Sequence, residues 1–262
     1  MKKNKFLLVA SIFLVILLVQ PKNFHYLVST FTQNDIKSQL NITGSAEEKN
    51  VDISSTYHSK NKELKSKTYD GNHQVIKVNP TAQFTSSELS LEAGSWKKFS
   101  NLDFLNRVGV AEAMLSQDLM PTTEREDISS VKPTGWKNKK IEFNGQSDYL
   151  YNRSHLIGFQ LSGENANSKN LFTGTRALNA NTEDEQSSML FYENQIASYI
   201  RKTNHHVRYR VTPIFRNVEL VCRGVRLEAQ SVEDDAISFD VYVFNIQPGY
   251  ELNYLTGTSH KK

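Results

Sequence analysis

The last third of the chain alternates at every second residue, and that pattern limits the fold more than any other feature. Val207–Phe215, Glu219–Gln230 and Ile237–Ile246 each carry β-branched or aromatic residues at strand period. Upstream, Asp148–Phe159 reads as a strand and its exit, and a Gly/Asn/Ser loop runs through Asn170. Leu171–Thr175 reads as a short second strand. Met189, Tyr192, Ile196, Tyr199 and Ile200 then form an apolar helical stripe. Thr182-x-x-Glu185 has the form of a capping box, with Glu183, Asp184 and Glu185 in the first turn. Steps of three and four from Leu102 to Leu119 predict another helix over residues 101–119, stopped by Pro121, and His73–Val78 reads as a first strand. Strands and helices in separate runs imply an α+β fold with a largely antiparallel sheet.

The N-terminus follows different rules. Lys2, Lys3 and Lys5 precede an apolar run from Phe6 to Val19, which ends at Gln20-Pro21-Lys22. That layout is an export signal, and a run of this length spans roughly 21 Å, short of a hydrocarbon core of about 30 Å. Residues 1–30 therefore read as an export signal, with an uncleaved anchor facing outward as the alternative. Residues 31–70 read as a polar linker or extended arm, and residues 71–262 as the folded domain. Cys222 is the only cysteine, which excludes an internal disulfide framework and a cysteine-rich zinc site. Residues 71–262 hold 21 basic and 22 acidic side chains, so an anionic polymer would need local basic clusters rather than a global charge.

Within residues 152–193 lie the parts that phosphodiester hydrolysis needs: a base, charge stabilisation, and oxygen ligands for a hard cation that keeps much of its water. His155 stands at the strand exit, Asn170 and Asn179 on the next elements, and Glu193 on the helix.

Asn152-Arg153-Ser154-His155-Leu156-Ile157, Asn170, Asn179 nine residues on, and Glu193 together resemble the DNA/RNA non-specific endonuclease family with its ββα-metal finger. The similarity is greatest to the streptococcal secreted DNases. Leu102-Asp103-x-Leu-Asn-Arg107, Leu119-Met-Pro-Thr-x-x-Arg125 and Lys132-Pro-Thr-Gly-Trp136 extend it over roughly residues 90–255. The resemblance implies that His155 deprotonates water and that Asn179 binds Mg²⁺, with Mn²⁺ as the alternative ion. It also implies that Glu193 positions a metal-bound water, Arg153 contacts phosphate and Asn170 orders the finger. The family leaves 5′-phosphate ends and accepts DNA, often RNA too; no protein partner is implied, and a monomer is expected. Asn152 and Ser154 stand where the family motif has Asp and Gly. Ala197 stands where relatives often carry an arginine, and Arg201 lies one turn further along that face.

Ordinary roles compete with these. Asn170, Asn179 and the rival ligand Asn181 are residue types common in turns and caps. Arg153 could simply pair with a carboxylate. Ser154 and His155 are strand neighbours pointing to opposite faces, so they are no hydrolytic pair, and His205-His206 lacks ligand spacing. Lys137, Lys139, Lys140, Arg208, Arg210, Arg223 and Arg226 read equally as phosphate contacts or as solvated faces. The competing function is a non-catalytic nucleic-acid- or host-binding surface protein that keeps the nuclease fold.

Overall fold

A computed structural model of the chain describes residues 45–181 and 184–262. Residues 49–262 form one compact unit. Residues 1–30, read above as an export signal, lie outside the described residues, among which no helix is long and apolar enough to cross a membrane.

The centre is a six-stranded sheet in the order β1-β10-β9-β8-β3-β2, antiparallel throughout. Its strands are β1 (Val75–Asn79), β2 (Trp96–Phe99), β3 (Ala111–Leu115), β8 (Val207–Ile214), β9 (Gly224–Ser231) and β10 (Ser238–Phe244). The three long C-terminal strands expected from alternation are β8, β9 and β10. Between β3 and β8 the chain builds β4 (Lys140–Phe143), β5 (Gln146–Tyr149), β6 (Tyr151–His155), α2 (Phe159–Ser162), β7 (Leu171–Thr175), α3 (Arg176–Asn179) and α4 (Met189–Thr203). A small hairpin, β11 (Tyr250–Leu252) and β12 (Ser259–Lys261), closes the chain.

One sheet face is apolar. Val207, Tyr209 and Val211 alternate inward on β8, with Val225 and Leu227 beside them, and they pack against Leu156, Ile157, Ile196 and Ile200 of the β6–β7–α4 layer. The other face is polar yet also buried. Arg226 is fully buried, donating to both Asp240 oxygens and to Glu228, while Arg210 pairs with Glu228 and Glu88, and Arg208 with Glu112. A helix covers this face, α1 (Ser45–Ser66). Tyr57 Oη lies 2.7 Å from Thr212 Oγ1, the Arg210 guanidinium sits 4.0 Å over the Tyr57 ring, and Arg226 donates to Asn61 Oδ1. Leu64 joins Ile214, Tyr242 and Phe244. Positions 57, 61 and 64 are four and three apart, one stripe of a helix.

Three sequence expectations are corrected. Residues 45–66 are a docked helix, not linker. Its polar composition hid it because the surface it meets is itself charged. The helix expected over 101–119 is a turn followed by β3 and a 3₁₀ turn at Gln117–Leu119. Asp103 gathers the Leu105 and Arg107 N–H groups and the Arg107 guanidinium, and Asn106 takes a left-handed φ of 61°; that geometry stops a helix. The strand that follows is buried on both faces, so its apolar residues do not alternate. The third correction concerns α4, which begins at Met189 rather than near Glu183. The Ser187 and Ser188 hydroxyls donate back to the Asp184 and Glu185 carbonyls in a 3₁₀ turn, and Thr182 and Glu183 lie outside the described residues.

Candidate active site

β6 and β7 pair antiparallel with Tyr151 opposite Thr175 and His155 opposite Leu171. Asn170 extends the pairing beyond the last residues of the ladder. Its backbone carbonyl accepts from Leu156, its Oδ1 accepts the Ile157 N–H and its Nδ2 donates to the Ile157 carbonyl. Fully buried, this carboxamide stands in for a strand backbone. α3 follows β7 without a loop. Thr175 caps it by accepting from Leu178, and Gln247 Oε1 accepts the Ala177 N–H. α4 then crosses beneath, giving the strand, strand, helix order of a small finger.

A cleft of about 820 Å³ opens over this unit, and His155, Asn179, Glu193, Arg153 and Asn152 all line it. His155 is only 7% exposed, and its Nε2 lies 2.9 Å from the Asn165 carbonyl. A carbonyl only accepts, so Nε2 carries the hydrogen and Nδ1 keeps the lone pair. Burial holds the imidazole pKa below its usual value, although the Asn165 carbonyl pulls the other way. Burial thus favours the neutral ring.

Glu193 lies in the second turn of α4 and is also 7% exposed. Its Oε1 accepts the Gly158 N–H at 2.7 Å. A Cβ at position 158 would stand 2.4 Å from Glu193 Oε2, so a larger residue there would displace the carboxyl from this place. Burial pushes the carboxyl up to about 8, with the Gly158 N–H and Arg125 acting against it. Asn179, the last residue of α3, makes no hydrogen bond to another described residue through its carboxamide. Asn152 Oδ1 is buried and has no hydrogen-bond partner among the described residues.

Arg153 shares a strand face with His155, but its donors are largely committed. Nε donates to the Val131 carbonyl, Nη2 to the Ser129 carbonyl, and the guanidinium lies 4.4 Å over the Trp136 ring. Other expected residues do not reach the cleft. Arg201 is exposed two turns beyond Glu193, and Lys137 and Lys140 are exposed away from the lining. Lys139 donates to the Ser259 carbonyl and sits over the Tyr250 ring. Arg208 and Arg210, read as phosphate contacts or a solvated face, are both buried: Arg208 pairs with Glu112 beside the Phe84 and Trp96 rings, and Arg210 pairs with Glu228 and Glu88 against Tyr57 of α1. Asn181 donates to Ser187 Oγ, a local turn role.

The cleft also holds groups that the sequence did not single out. Arg125 is exposed in the lining and acts electrostatically on both His155 and Glu193. Arg176, Tyr149 and Trp136 line it as well. Arg125 closes the Leu119–Arg125 motif, so its signal was present; nothing in that loop's spacing aimed it at the finger.

The DNA/RNA non-specific endonuclease model matches residues 89–233. Among solved structures, NucA from Streptococcus agalactiae with magnesium ion bound is 25% identical over 72% of this chain and 87% of that one, with a TM-score of 0.63. The Sda1 nuclease with bound zinc ion is 27% identical over 64% and 82%, with a TM-score of 0.58. An extracellular endonuclease at 24% identity covers 74% of this chain and 100% of its own, with a TM-score of 0.53, and shows the fold alone. With more than half its length matched by the family model, the chain belongs to the DNA/RNA non-specific endonuclease family and is an endonuclease.

Proposed function

We propose that this endonuclease is exported and cleaves DNA without sequence preference, using His155 as general base and Asn179 as its protein ligand to Mg²⁺. The observation that carries the reading is the convergence of His155, Asn179 and Glu193 on one cleft, with the imidazole held neutral in a defined tautomer.

The donor set fits a hard divalent cation. Among the described residues no three His, Cys, Asp or Glu side chains gather as a ligand set. The oxygens on offer are the free Asn179 carboxamide and the orphaned Asn152 Oδ1. Neutral oxygens with retained water suit Mg²⁺, and Mn²⁺ is the next candidate. A buried carboxyl beside them, short of positive charge, would be ionised by such an ion. When bound, the ion neutralises charge building on the phosphate and the leaving oxygen.

His155 Nδ1 takes a proton from water as the water attacks phosphorus. The P–O3′ bond breaks and the departing 3′ oxygen takes a proton from solvent water, leaving a 5′-phosphate on one fragment and a 3′-hydroxyl on the other. Glu193, fixed through Oε1 by Gly158, has Oε2 left to orient water. Arg125 offers positive charge at the cleft rim, and Arg153 steadies the Ser129–Val131 loop and adds charge beside the phosphate. Export rests on the lysine head and apolar run of residues 1–30, and a monomer suffices because one chain supplies every group.

Purified protein should cut plasmid and linear DNA with added Mg²⁺ and stop on chelation. His155→Ala should lower the rate at least about a hundredfold, the usual worth of a general base, with unchanged circular dichroism. Near-normal turnover in that variant would remove His155 from the mechanism.

A further inference from the structure

Beyond the hydrolytic groups, the cleft lining includes an exposed aromatic side chain, Tyr149. β4 and β5 form a hairpin turned by Asn144 and Gly145, both at positive φ, and Tyr149 ends β5 opposite Lys140. Tyr149 is 50% exposed, although Leu150 and Tyr151 directly after it are buried. It lines the cleft, and among the described residues no ring or cation stacks on it. The other indole or phenol rings there are occupied: Trp136 carries Arg153, and Tyr151 donates to the Gly257 carbonyl.

Arg176 stands beside it. Asp148, the residue before Tyr149, ion-pairs with Arg176 Nε at 2.6 Å. No hydrogen bond from the Arg176 Nη groups reaches a described residue, so both Nη groups remain for an anion. The same arginine is three residues before Asn179 on α3. Residues at that separation are helix neighbours, with Cβ atoms about 5–6 Å apart. A strand whose scissile phosphate lies at Asn179 would bring an adjoining phosphate towards Arg176 and the intervening base towards the open Tyr149 face. The cleft volume is in the range of about 300–1,000 Å³ that holds small ligands, which suits a short stretch of single strand.

We propose that Tyr149 and Arg176 form a nucleotide subsite: Tyr149 stacks an unpaired base and Arg176 holds the neighbouring phosphate, so the enzyme prefers single-stranded or locally opened substrate. The subsite rests on the phosphodiester reading of the cleft. Stacking is tolerant of base identity because every base has a π face, in keeping with cleavage that ignores sequence.

The test is binding, without turnover. Full-length protein carrying His155→Ala, in chelator, is titrated with fluorescently labelled hexathymidylate and with a hexamer of abasic sugar-phosphates of equal charge. The thymidylate should bind more tightly, by about tenfold for one stacked base. Adding Tyr149→Ala should abolish that preference, Tyr149→Phe should retain it, and Arg176→Gln should weaken both ligands alike. Equal affinity for the two ligands in the Tyr149 parent would overturn the subsite, as would a preference that survives Tyr149→Ala. Failure of the wild-type protein to cut DNA with Mg²⁺ would instead strike the hydrolytic reading while leaving these titrations meaningful. Loss of all binding in every variant would strike both.

Discussion

An imidazole works as a base only while neutral, and His155 is kept so by burial, with its Nε2–H tied to the Asn165 carbonyl. Activity should therefore persist into mild acid: kcat/KM against pH should rise through a midpoint below about 6.5, the usual imidazole value. A midpoint at or above that value would show that the ring works in an environment unlike this cleft. Stability has the same sign. As pH falls below the ordinary imidazole value, the unfolded chain takes up the proton first, so this contribution is intact above that pH and is lost as pH drops towards the folded value. Melting curves of wild type and His155→Gln should converge across that window. The sequence made His155, Asn170, Asn179 and Glu193 legible because their order and spacing form one pattern. It could not separate the two asparagines by physics alone. Their difference is burial, since Asn170 is sealed against Ile157 while Asn179 faces the cleft. Arg125 sat in a legible motif whose loop gave no direction, while Tyr149 at the end of β5 and Arg176 at the start of α3 carried no signal, because only the packing of those elements brings them to the cleft.

Among the elements, β8 shows how alternation can mislead. Val207, Tyr209 and Val211 point to the apolar core, so Arg208 and Arg210 between them read as a wet face with charges free for phosphate. A second layer covers that face, and the charges are spent on Glu112, Glu88 and Glu228. Removing one partner of such a buried pair leaves an uncompensated charge and costs about 3–5 kcal/mol. Arg210→Met should thus lower the melting temperature markedly. Measured well below that temperature, the salt dependence of DNA binding should not change, whereas loss of a real phosphate contact would reduce the log–log slope by about 0.9. A reduced slope with unaltered melting would return Arg210 to the substrate surface. The β6–β7–α4 unit was legible for the opposite reason. Each of its elements carries its own period or turn chemistry, and no distant segment is needed to interpret it.

At the level of the whole molecule the sheet is a partition between two different layers. The finger and its cleft lie against the apolar face, where chemistry is supported by close packing; α1 lies against the charged face, where it completes ion pairs and seals them from water. A chain cut to begin at Gly71, the boundary that composition suggests, would lose the Tyr57 ring from Arg210 and Arg226 and the Leu64 side chain from Tyr242 and Phe244. Burying one leucine is worth about 1.5–3 kcal/mol, and a desolvated cation–π contact up to about 2. At about 2–4 °C per kcal/mol for a domain of this size, the melting temperature should fall on the order of 10 °C relative to a chain beginning at Ser45. Because the cleft sits on the opposite face, Mg²⁺-dependent cleavage at low temperature should survive the cut. Equal melting of the two chains would mean that α1 contributes nothing to closing the charged face. Loss of cleavage in a folded Gly71 chain would mean that the two faces are coupled through the sheet, and that the N-terminal helix helps to set the geometry of the finger.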